Sequence, residues 1–150
     1  MIRTDIYNLK RFLTAQNDSY ESAIMELSQG KKTGHWMWYV FPQVDGLGSS
    51  TETAKLYAIK SVEEAQAYLN HPVLGKRMLQ SCEILLNLEG LSISDVLEFP
   101  DDLKLKSSMT LFAYVSLPDS IFAKVLDRFF DGAVDQTSIK IINILQQYHN

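Results

Sequence analysis

The stretch that decides the fold class is residues 70–90, which read NHPVLGKRMLQSCEILLNLEG. Its apolar residues recur at helical spacing, Pro72 suits the first turn of a helix, and Gly90 suits the left-handed position that closes one. The stretch therefore predicts the longest helix of the chain, from Pro72 to about Glu89. Cys82, the one cysteine of the sequence, falls on the apolar face of this helix and is interpreted as a small hydrophobic residue.

Outward from this helix, the sequence repeats the pattern of apolar stripes between helix start and stop signals. Capping boxes predict four helix starts, at Asp18 with Glu21, Ser49 with Glu52, Ser61 with Glu64, and Ser92 with Asp95. A short first helix ending near Gln16 precedes the one that Asp18 begins. No pair of alternating apolar runs is joined by a hairpin turn. The sequence predicts a compact all-α single domain over residues 1–150, an array of about eight short helices.

Composition and charge exclude several classes of protein. The chain has 150 residues, of which 46% are hydrophobic, and its 14 Lys and Arg against 18 Asp and Glu give a net charge of −4. A mildly acidic protein lacks the attraction that non-specific nucleic-acid binding needs. One cysteine excludes an intrachain disulfide and a zinc site built on several cysteines, and we expect neither a metal nor a cofactor. No apolar run approaches the roughly 20 residues of a membrane span, and residues 1–10 do not resemble a signal peptide, so we expect a soluble cytoplasmic protein.

Aromatic side chains concentrate in residues 35–41 (HWMWYVF), which we call the aromatic segment. Lys31 and Lys32 precede it, and the glycine-rich residues 46–50 (GLGSS) follow it. Glycines let backbone amides approach a ligand, lysines neutralise an anion, and tryptophan presents a flat face to a base or sugar. The combination predicts a site for a small anionic ligand with a planar ring, such as a nucleotide. Residues 37–40 of the segment fit a helix or a strand equally well.

A second polar cluster, residues 101–110 (DDLKLKSSMT), is predicted to complete this site. On a helix its Lys104 and Ser107 share one face. The predicted ligand-binding residues are Lys31, Lys32 and Lys104 for charge, Trp36 or Trp38 for stacking, Gln43 for hydrogen bonds, and Ser107 beside Lys104. His35 is the predicted acid or base if the site is catalytic, because an imidazole exchanges protons near neutral pH.

Other interpretations of the same residues stay open. The two tryptophans also fit a purely structural place in the core, and the two lysines before the aromatic segment also fit the dipole at the end of the preceding helix. The chief alternative function is a non-catalytic protein-interaction module, for which the sequence indicates no particular partner. It predicts an exposed apolar patch on the order of several hundred Å² and no enclosed polar pocket. An enzyme that uses Arg77 or Tyr57 is a third interpretation.

Long segments of the chain resemble one bacterial family. The segments are residues 9–16 (LKRFLTAQ), 35–43 (HWMWYVFPQ), 46–50 (GLGSS), 71–75 (HPVLG) and 100–111 (PDDLKLKSSMTL). Over about residues 9–130 the chain is similar to the domain of unknown function numbered 1810, sometimes labelled calpastatin. The resemblance implies a compact, all-α single domain and no established activity. The calpastatin label would imply a long disordered inhibitor, which a hydrophobic content of 46% argues against.

Overall fold

The computed structural model describes residues 5–47 and 51–147. The described residues form nine α-helices and no strand, which confirms the predicted all-α class. The helices are Lys10–Ser28 (α1), Met37–Val40 (α2), Glu52–Tyr57 (α3), Val62–Asn70 (α4), Leu74–Asn87 (α5), Ile93–Val96 (α6), Asp101–Tyr114 (α7), Ile121–Phe130 (α8) and Gln136–Gln147 (α9). Residues 37–40 are therefore one turn of helix, which resolves the choice between helix and strand that the sequence left open.

Helix α1 is one helix of 19 residues where the sequence predicted two. The predicted start at Asp18 is wrong, because Asp18 lies exposed in the middle of α1. The hydroxyl of Ser19 donates to the carbonyl of Ala15 at 2.9 Å, so this polar residue satisfies itself one turn back instead of beginning a helix. The side chains of Phe12 and Leu27, near the two ends of α1, are both buried. Burial of the apolar stripe therefore outweighs the local capping preference.

The other helix starts follow the sequence signals more closely. Ser92 and Asp95 form a complete capping box, and the hydroxyl of Ser61 accepts a hydrogen bond from the backbone N–H of Glu64 at 3.0 Å. Helix α3 begins after Thr51, whose hydroxyl accepts from Ala54 N at 3.2 Å. Ser49, the predicted cap for this helix, lies outside the described residues.

The helix predicted over residues 72–89 is found as α5, which begins two residues after Pro72 and ends two residues before Glu89. The prediction that it is the longest helix is wrong, because α1 has 19 residues and α5 has 14. The imidazole Nδ1 of His71 caps its start, accepting from the backbone N–H of Val73 at 3.1 Å and of Leu74 at 3.2 Å. Helix α5 packs against α1, α4 and α8 in the centre of the domain. Cys82 is fully buried there, as predicted, and burial raises the pKa of its thiol.

A chain of aromatic rings crosses the core between these helices. The ring of Tyr68 lies 5.1 Å from that of Phe12 in an edge-to-face arrangement and 5.4 Å from that of Phe112. Phe112 in turn lies 5.7 Å from Phe122. Since such pairs add specific geometry to ordinary apolar burial, they fix how α1, α4, α7 and α8 meet.

Arg11 ties the start of α1 to the segment between α3 and α4. Its guanidinium donates to the carbonyls of Tyr7 at 2.7 Å, Asn8 at 2.9 Å, Leu56 at 2.6 Å and Ala58 at 3.0 Å, and to the carboxylate of Glu64 at 2.6 Å. A guanidinium has five N–H donors, so each of them has an acceptor here. The second carboxylate oxygen of Glu64 accepts from the backbone N–H of Lys60 at 2.9 Å. Burying this ion pair is tolerated because both partners are hydrogen-bonded.

Residues 43–47 are held between α3 and α9. The backbone of Ile59 pairs with this segment, accepting from Asp45 N at 2.9 Å and donating to Gln43 O at 2.8 Å. Gly46 has φ +100, a conformation that L side chains rarely adopt, and a Cβ at this position would lie 3.5 Å from Ile141 of α9. The segment is thereby fixed beside the first turns of α7 and α9.

Candidate functional site

A cavity of about 260 Å³ lies between residues 43–47, helix α3 and the first turns of α7 and α9. Its apolar lining comprises Trp38, Val44, Leu47, Ala54, Tyr57, Ala58, Pro100 and Leu103, with the backbone of Gly46. Its polar lining comprises Gln43, Asp45, Lys104, Ser107, Asp135 and Thr137. An apolar wall with a few polar groups is typical of small-molecule sites, although the volume lies just under their usual range of about 300–1,000 Å³. The cavity therefore suits a small metabolite.

The structure places four of the seven predicted ligand-binding residues around this cavity. Trp38 and Gln43 come from the aromatic segment and its continuation, and Lys104 and Ser107 come from α7, some 60 positions later in the chain. Lys31, Lys32, Trp36 and His35 are not among the lining residues. That the four lining residues bind a ligand stays a prediction.

Lys104 and Trp38 are in direct contact at the cavity wall. The ammonium Nζ of Lys104 lies 4.1 Å from the centroid of the Trp38 ring, which is a cation–π geometry. The same ammonium lies 3.1 Å from Oδ1 of Asp101. Trp38 itself is half-buried, so part of its surface remains available beside a positive charge.

Lys32 and Trp36 form a similar pair that faces the interior. The Nζ of Lys32 lies 5.2 Å from the Trp36 ring centroid and 2.8 Å from Oδ2 of Asp101. It also donates to the carbonyl of Gly34 at 2.5 Å. Trp36 is only 1% exposed and belongs to the core. These two residues, both predicted to contact ligand, are thus held by other parts of the protein.

Asp101 joins the two lysine–tryptophan pairs. Burial disfavours its charged form, but hydrogen bonds from Lys32 and Lys104 outweigh that effect and hold the pKa of Asp101 below its ordinary value. One carboxylate therefore faces two ammonium groups. These three groups, of which Lys104 alone lines the cavity, carry one net positive charge.

Glu26, in helix α1, holds the start of the aromatic segment in place, a role that was not predicted from the sequence. Its Oε1 accepts hydrogen bonds from Thr33 N at 2.7 Å, Gly34 N at 2.8 Å and the indole N–H of Trp36 at 2.9 Å. Burial raises the pKa of Glu26, but these hydrogen bonds outweigh burial and leave the pKa lowered. The only local sign would have been a glutamate in the last turns of a helix just before a glycine-containing loop.

His35 and Lys31 both lie exposed, away from the cavity lining. Lys31 pairs with Glu98 across 3.8 Å, where the two side chains are 65% and 78% exposed. Ion pairs of this kind contribute little to stability. The acid or base role of His35 stays a prediction, and His35 does not line this cavity.

The lining also includes two carboxylates and a tyrosine that the sequence did not predict for the ligand site. Asp135 caps α9, its Oδ2 accepting from Ser138 N at 2.9 Å and from the Ser138 hydroxyl at 2.5 Å. Asp45 lies 3.6 Å from Lys60 Nζ at the surface. Tyr57 contributes a second aromatic wall, held by its ring contact with Tyr39 at 5.3 Å.

Across residues 5–47 and 51–147, no three His, Cys, Asp or Glu side chains are grouped so as to hold a metal ion. In the same part of the chain, no helix has the length and apolar character needed to cross a membrane.

The described residues form a small all-α fold with a cavity of about 260 Å³ between a loop and the ends of helices. The family model described as "Protein of unknown function (DUF1810)" matches residues 6–142, so the chain belongs to this family, as its motifs indicated. The crystal structure of the conserved hypothetical protein Rv1873 from Mycobacterium tuberculosis, at 1.38 Å, is similar, with a TM-score of 0.90 and 44% sequence identity over 93% of this chain and 99% of that chain. No curated protein matches the chain.

Proposed function

We propose that this protein binds a small ligand with a planar ring and a polar tail, of the nucleotide class, in the cavity between residues 43–47, α3, α7 and α9. The observation that carries the proposal is the meeting of Trp38, Gln43, Lys104 and Ser107 at one cavity. These residue types supply a stacking surface, an amide, a cation and a hydroxyl, which are the groups that recognise a nucleotide. They come from two segments far apart in the chain.

The environment of Trp38 supports a binding role over a purely structural one. A tryptophan needed only for packing is expected to be buried, as Trp36 is with 1% exposure. Trp38 instead borders the cavity and carries the Lys104 ammonium 4.1 Å from its ring centroid. A planar ligand on this wall would gain stacking from Trp38 or Tyr57.

Gln43 offers the hydrogen-bonding edge that a heterocyclic base requires. Its backbone is fixed because its carbonyl accepts from Ile59 N at 2.8 Å. Its side chain is half-buried and makes no hydrogen bond to the described residues. A primary amide presents two donors and an acceptor, so it can pair with a base edge while the backbone holds it in place.

Lys104 offers the charge that an anionic group requires. Its partner Asp101 is shared with Lys32, so two ammonium groups face one carboxylate. A single phosphate or carboxylate on the ligand would balance the remaining positive charge. Partial burial of Lys104, whose side chain is 21% exposed, strengthens such a contact relative to one in bulk water.

The test is a thermal-shift and calorimetric titration of the full chain with the four common ribonucleosides and their 5′-monophosphates. Bound ligand is expected to raise Tm with concentration, because it stabilises only the folded state. Trp38→Ala and Lys104→Met should each weaken binding at least about tenfold. Lys31→Met, which removes an exposed lysine outside the cavity, is the matched control and should bind normally. A panel that leaves Tm unchanged, or binding indifferent to both cavity variants, would overturn the proposal.

The alternative, a protein-interaction module, accounts for fewer of these observations. It predicts exposed apolar surface without an enclosed polar pocket. Exposed apolar side chains do occur, such as Phe99 and Leu117 at 76% and 75% exposure. The cavity, however, has charged and polar lining as well as apolar lining. Ligand binding therefore remains the function that the geometry supports best.

A further inference from the structure

The cavity lining carries more negative than positive charge. Lys104 is its one cation among the described residues, against the carboxylates of Asp45 and Asp135. A ligand with several phosphoryl groups would meet repulsion from both carboxylates, with one lysine to offset it. The charge of the site therefore favours a ligand that carries at most one phosphate.

Asp135 keeps an acceptor free toward a ligand. Its Oδ2 is engaged by the N–H and hydroxyl of Ser138, which fixes the side chain at the start of α9. Its Oδ1 has no hydrogen bond within the described part of the chain, although Asp135 lines the cavity and is half-buried. An ionised carboxylate only accepts hydrogen bonds, so this oxygen is able to accept one from a ligand in the cavity.

Asp45 supplies a second such acceptor on the loop beside α9. Its backbone N–H is fixed by the hydrogen bond to Ile59 O at 2.9 Å. Its carboxylate meets Lys60 only at 3.6 Å, and that surface pair leaves Asp45 about half exposed. Two carboxylates from positions 90 residues apart thus border one small cavity.

The donors that would satisfy these carboxylates are hydroxyl groups. A ligand ammonium group would also pair with a carboxylate, but the cation of Lys104 already occupies the neighbourhood of Trp38 and would repel it. Adjacent hydroxyls of a ribose carry no charge and donate readily to an aspartate, which is how many dinucleotide sites hold the sugar. Stacking on the aromatic wall then accounts for the base.

We infer that the cavity recognises a ribonucleoside or ribonucleoside 5′-monophosphate, with the ribose diol donating to Asp135 and Asp45 and any single phosphate placed at Lys104. This inference rests on the proposed function. It deepens that function by naming the sugar and the number of phosphates.

The experiment is a calorimetric titration of the full chain with matched ligands. Each ribonucleoside 5′-monophosphate is compared with its 2′-deoxy analogue and with its 5′-triphosphate. The ribose form should bind about tenfold or more tightly than the deoxy form, because a lost hydroxyl leaves a carboxylate unpaired. The triphosphate should bind more weakly than the monophosphate. Equal binding of ribose and deoxy forms, or tighter triphosphate binding, would overturn the inference while leaving the proposed function in place; no binding by any member would overturn both.

Two substitutions assign the effect to the carboxylates. Asp135→Asn keeps an acceptor for Ser138 and so preserves the start of α9, while Asp45→Asn keeps the backbone pairing with Ile59. The variant that removes the carboxylate accepting from the 2′-hydroxyl should reduce the preference for ribose over deoxyribose to about twofold or less, and the other variant should keep it. Asp119→Asn, an exposed aspartate outside the cavity, is the control and should keep the full preference. A tenfold preference that survives both cavity variants would contradict the assignment.

Discussion

The two tryptophans of the aromatic segment stand two residues apart and have opposite surroundings. Trp36 is buried, donates its indole N–H to Glu26 and has Lys32 beside its ring. Trp38 is half-buried, borders the cavity and has Lys104 beside its ring. Both lysines form ion pairs with the carboxylate of Asp101. We call Lys32 with Trp36 the inner pair and Lys104 with Trp38 the outer pair. The two pairs have the same residue types and share one carboxylate.

The difference between the pairs follows from where the one-turn helix α2 begins. Trp36 is the residue before α2 and is not in helical conformation (φ −116, ψ 3), whereas Trp38 lies within α2. On a strand the two side chains would share a face. Here the change of backbone conformation at Met37 places one tryptophan in the core and the other at the cavity. We expect the inner pair to govern stability and the outer pair to govern ligand binding.

The largest effect on stability is expected for Trp36→Ala. Removing a fully buried tryptophan should lower the free energy of unfolding by about 3–5 kcal/mol, because a cavity replaces its packing contacts. Trp38→Ala should lower it by no more than about 1 kcal/mol, since only part of that side chain is buried. Urea denaturation of the two variants measures both values. Similar losses for the two would contradict the division into inner and outer pairs.

Glu26→Gln should produce the next largest loss. The amide keeps the shape of the side chain but removes the charge that three donors share, which should lower the free energy of unfolding by about 1–3 kcal/mol. Glu21→Gln, on the same helix and exposed, is the control and should have no measurable effect. Ligand affinity should be unchanged in both variants. A selective loss of binding in Glu26→Gln would show that the inner pair also contacts the ligand.

Low pH should reduce the stability that the carboxylate of Glu26 contributes around the inner pair. Because the pKa of Glu26 is lower in the folded protein than its ordinary value of 4.5, the charged form contributes stability that is fully present above that value. That contribution is lost as the pH falls through the lower folded pKa. Unfolding free energies measured from about pH 6 to pH 3 should fall more steeply for the wild type than for Glu26→Gln. If the free energy of unfolding has the same pH dependence in both proteins, Glu26 does not contribute to the loss of stability in acid.

Asp101→Asn should lower the stability of the protein and raise its affinity for a nucleoside monophosphate. Two lysines lose their shared carboxylate, and the expected loss in the free energy of unfolding is about 1 kcal/mol, since solvent screens part of each ion pair. Lys104 is then free of its partner, so a nucleoside monophosphate should bind severalfold more tightly while the uncharged nucleoside binds as before. Calorimetry with the two ligands separates these outcomes. Weaker monophosphate binding would mean that Asp101 is needed to position Lys104.

Local signals predicted much of the fold. The caps at Ser61 and Ser92 and the extent of α5 follow from residues within a few positions of one another. The start predicted at Asp18 fails because burial of a long apolar stripe overrides a local capping preference. The three long-range hydrogen bonds of Arg11, to Leu56, Ala58 and Glu64, could not be predicted, because no spacing in the chain links residues 45 to 53 positions apart.

The sequence predicted some of the residues that line the cavity and missed others. Trp38 and Lys104 were predicted because aromatic and cationic residues suit a ligand, and both line the cavity; that they bind a ligand stays a prediction. Trp36 and Lys32 have the same chemistry, but their partners Glu26 and Asp101 became visible only in three dimensions. Asp135 has the spacing of a helix cap and lines the cavity only because α9 returns to residues 43–47. Residue type suggested candidates, and long-range packing chose among them.

The guanidinium of Arg11 acts as a non-covalent cross-link. By binding Leu56, Ala58 and Glu64 it connects residues that lie 45 to 53 positions apart in the chain. A disulfide within the chain cannot do this, because the sequence has one cysteine. Loop closure of this length carries an entropic penalty that grows only slowly with loop size, so one well-satisfied side chain can sustain it. Ala54, Tyr57 and Ala58 belong to the closed segment and form one wall of the cavity. The shape of the cavity therefore depends on a residue that a bound ligand would never touch.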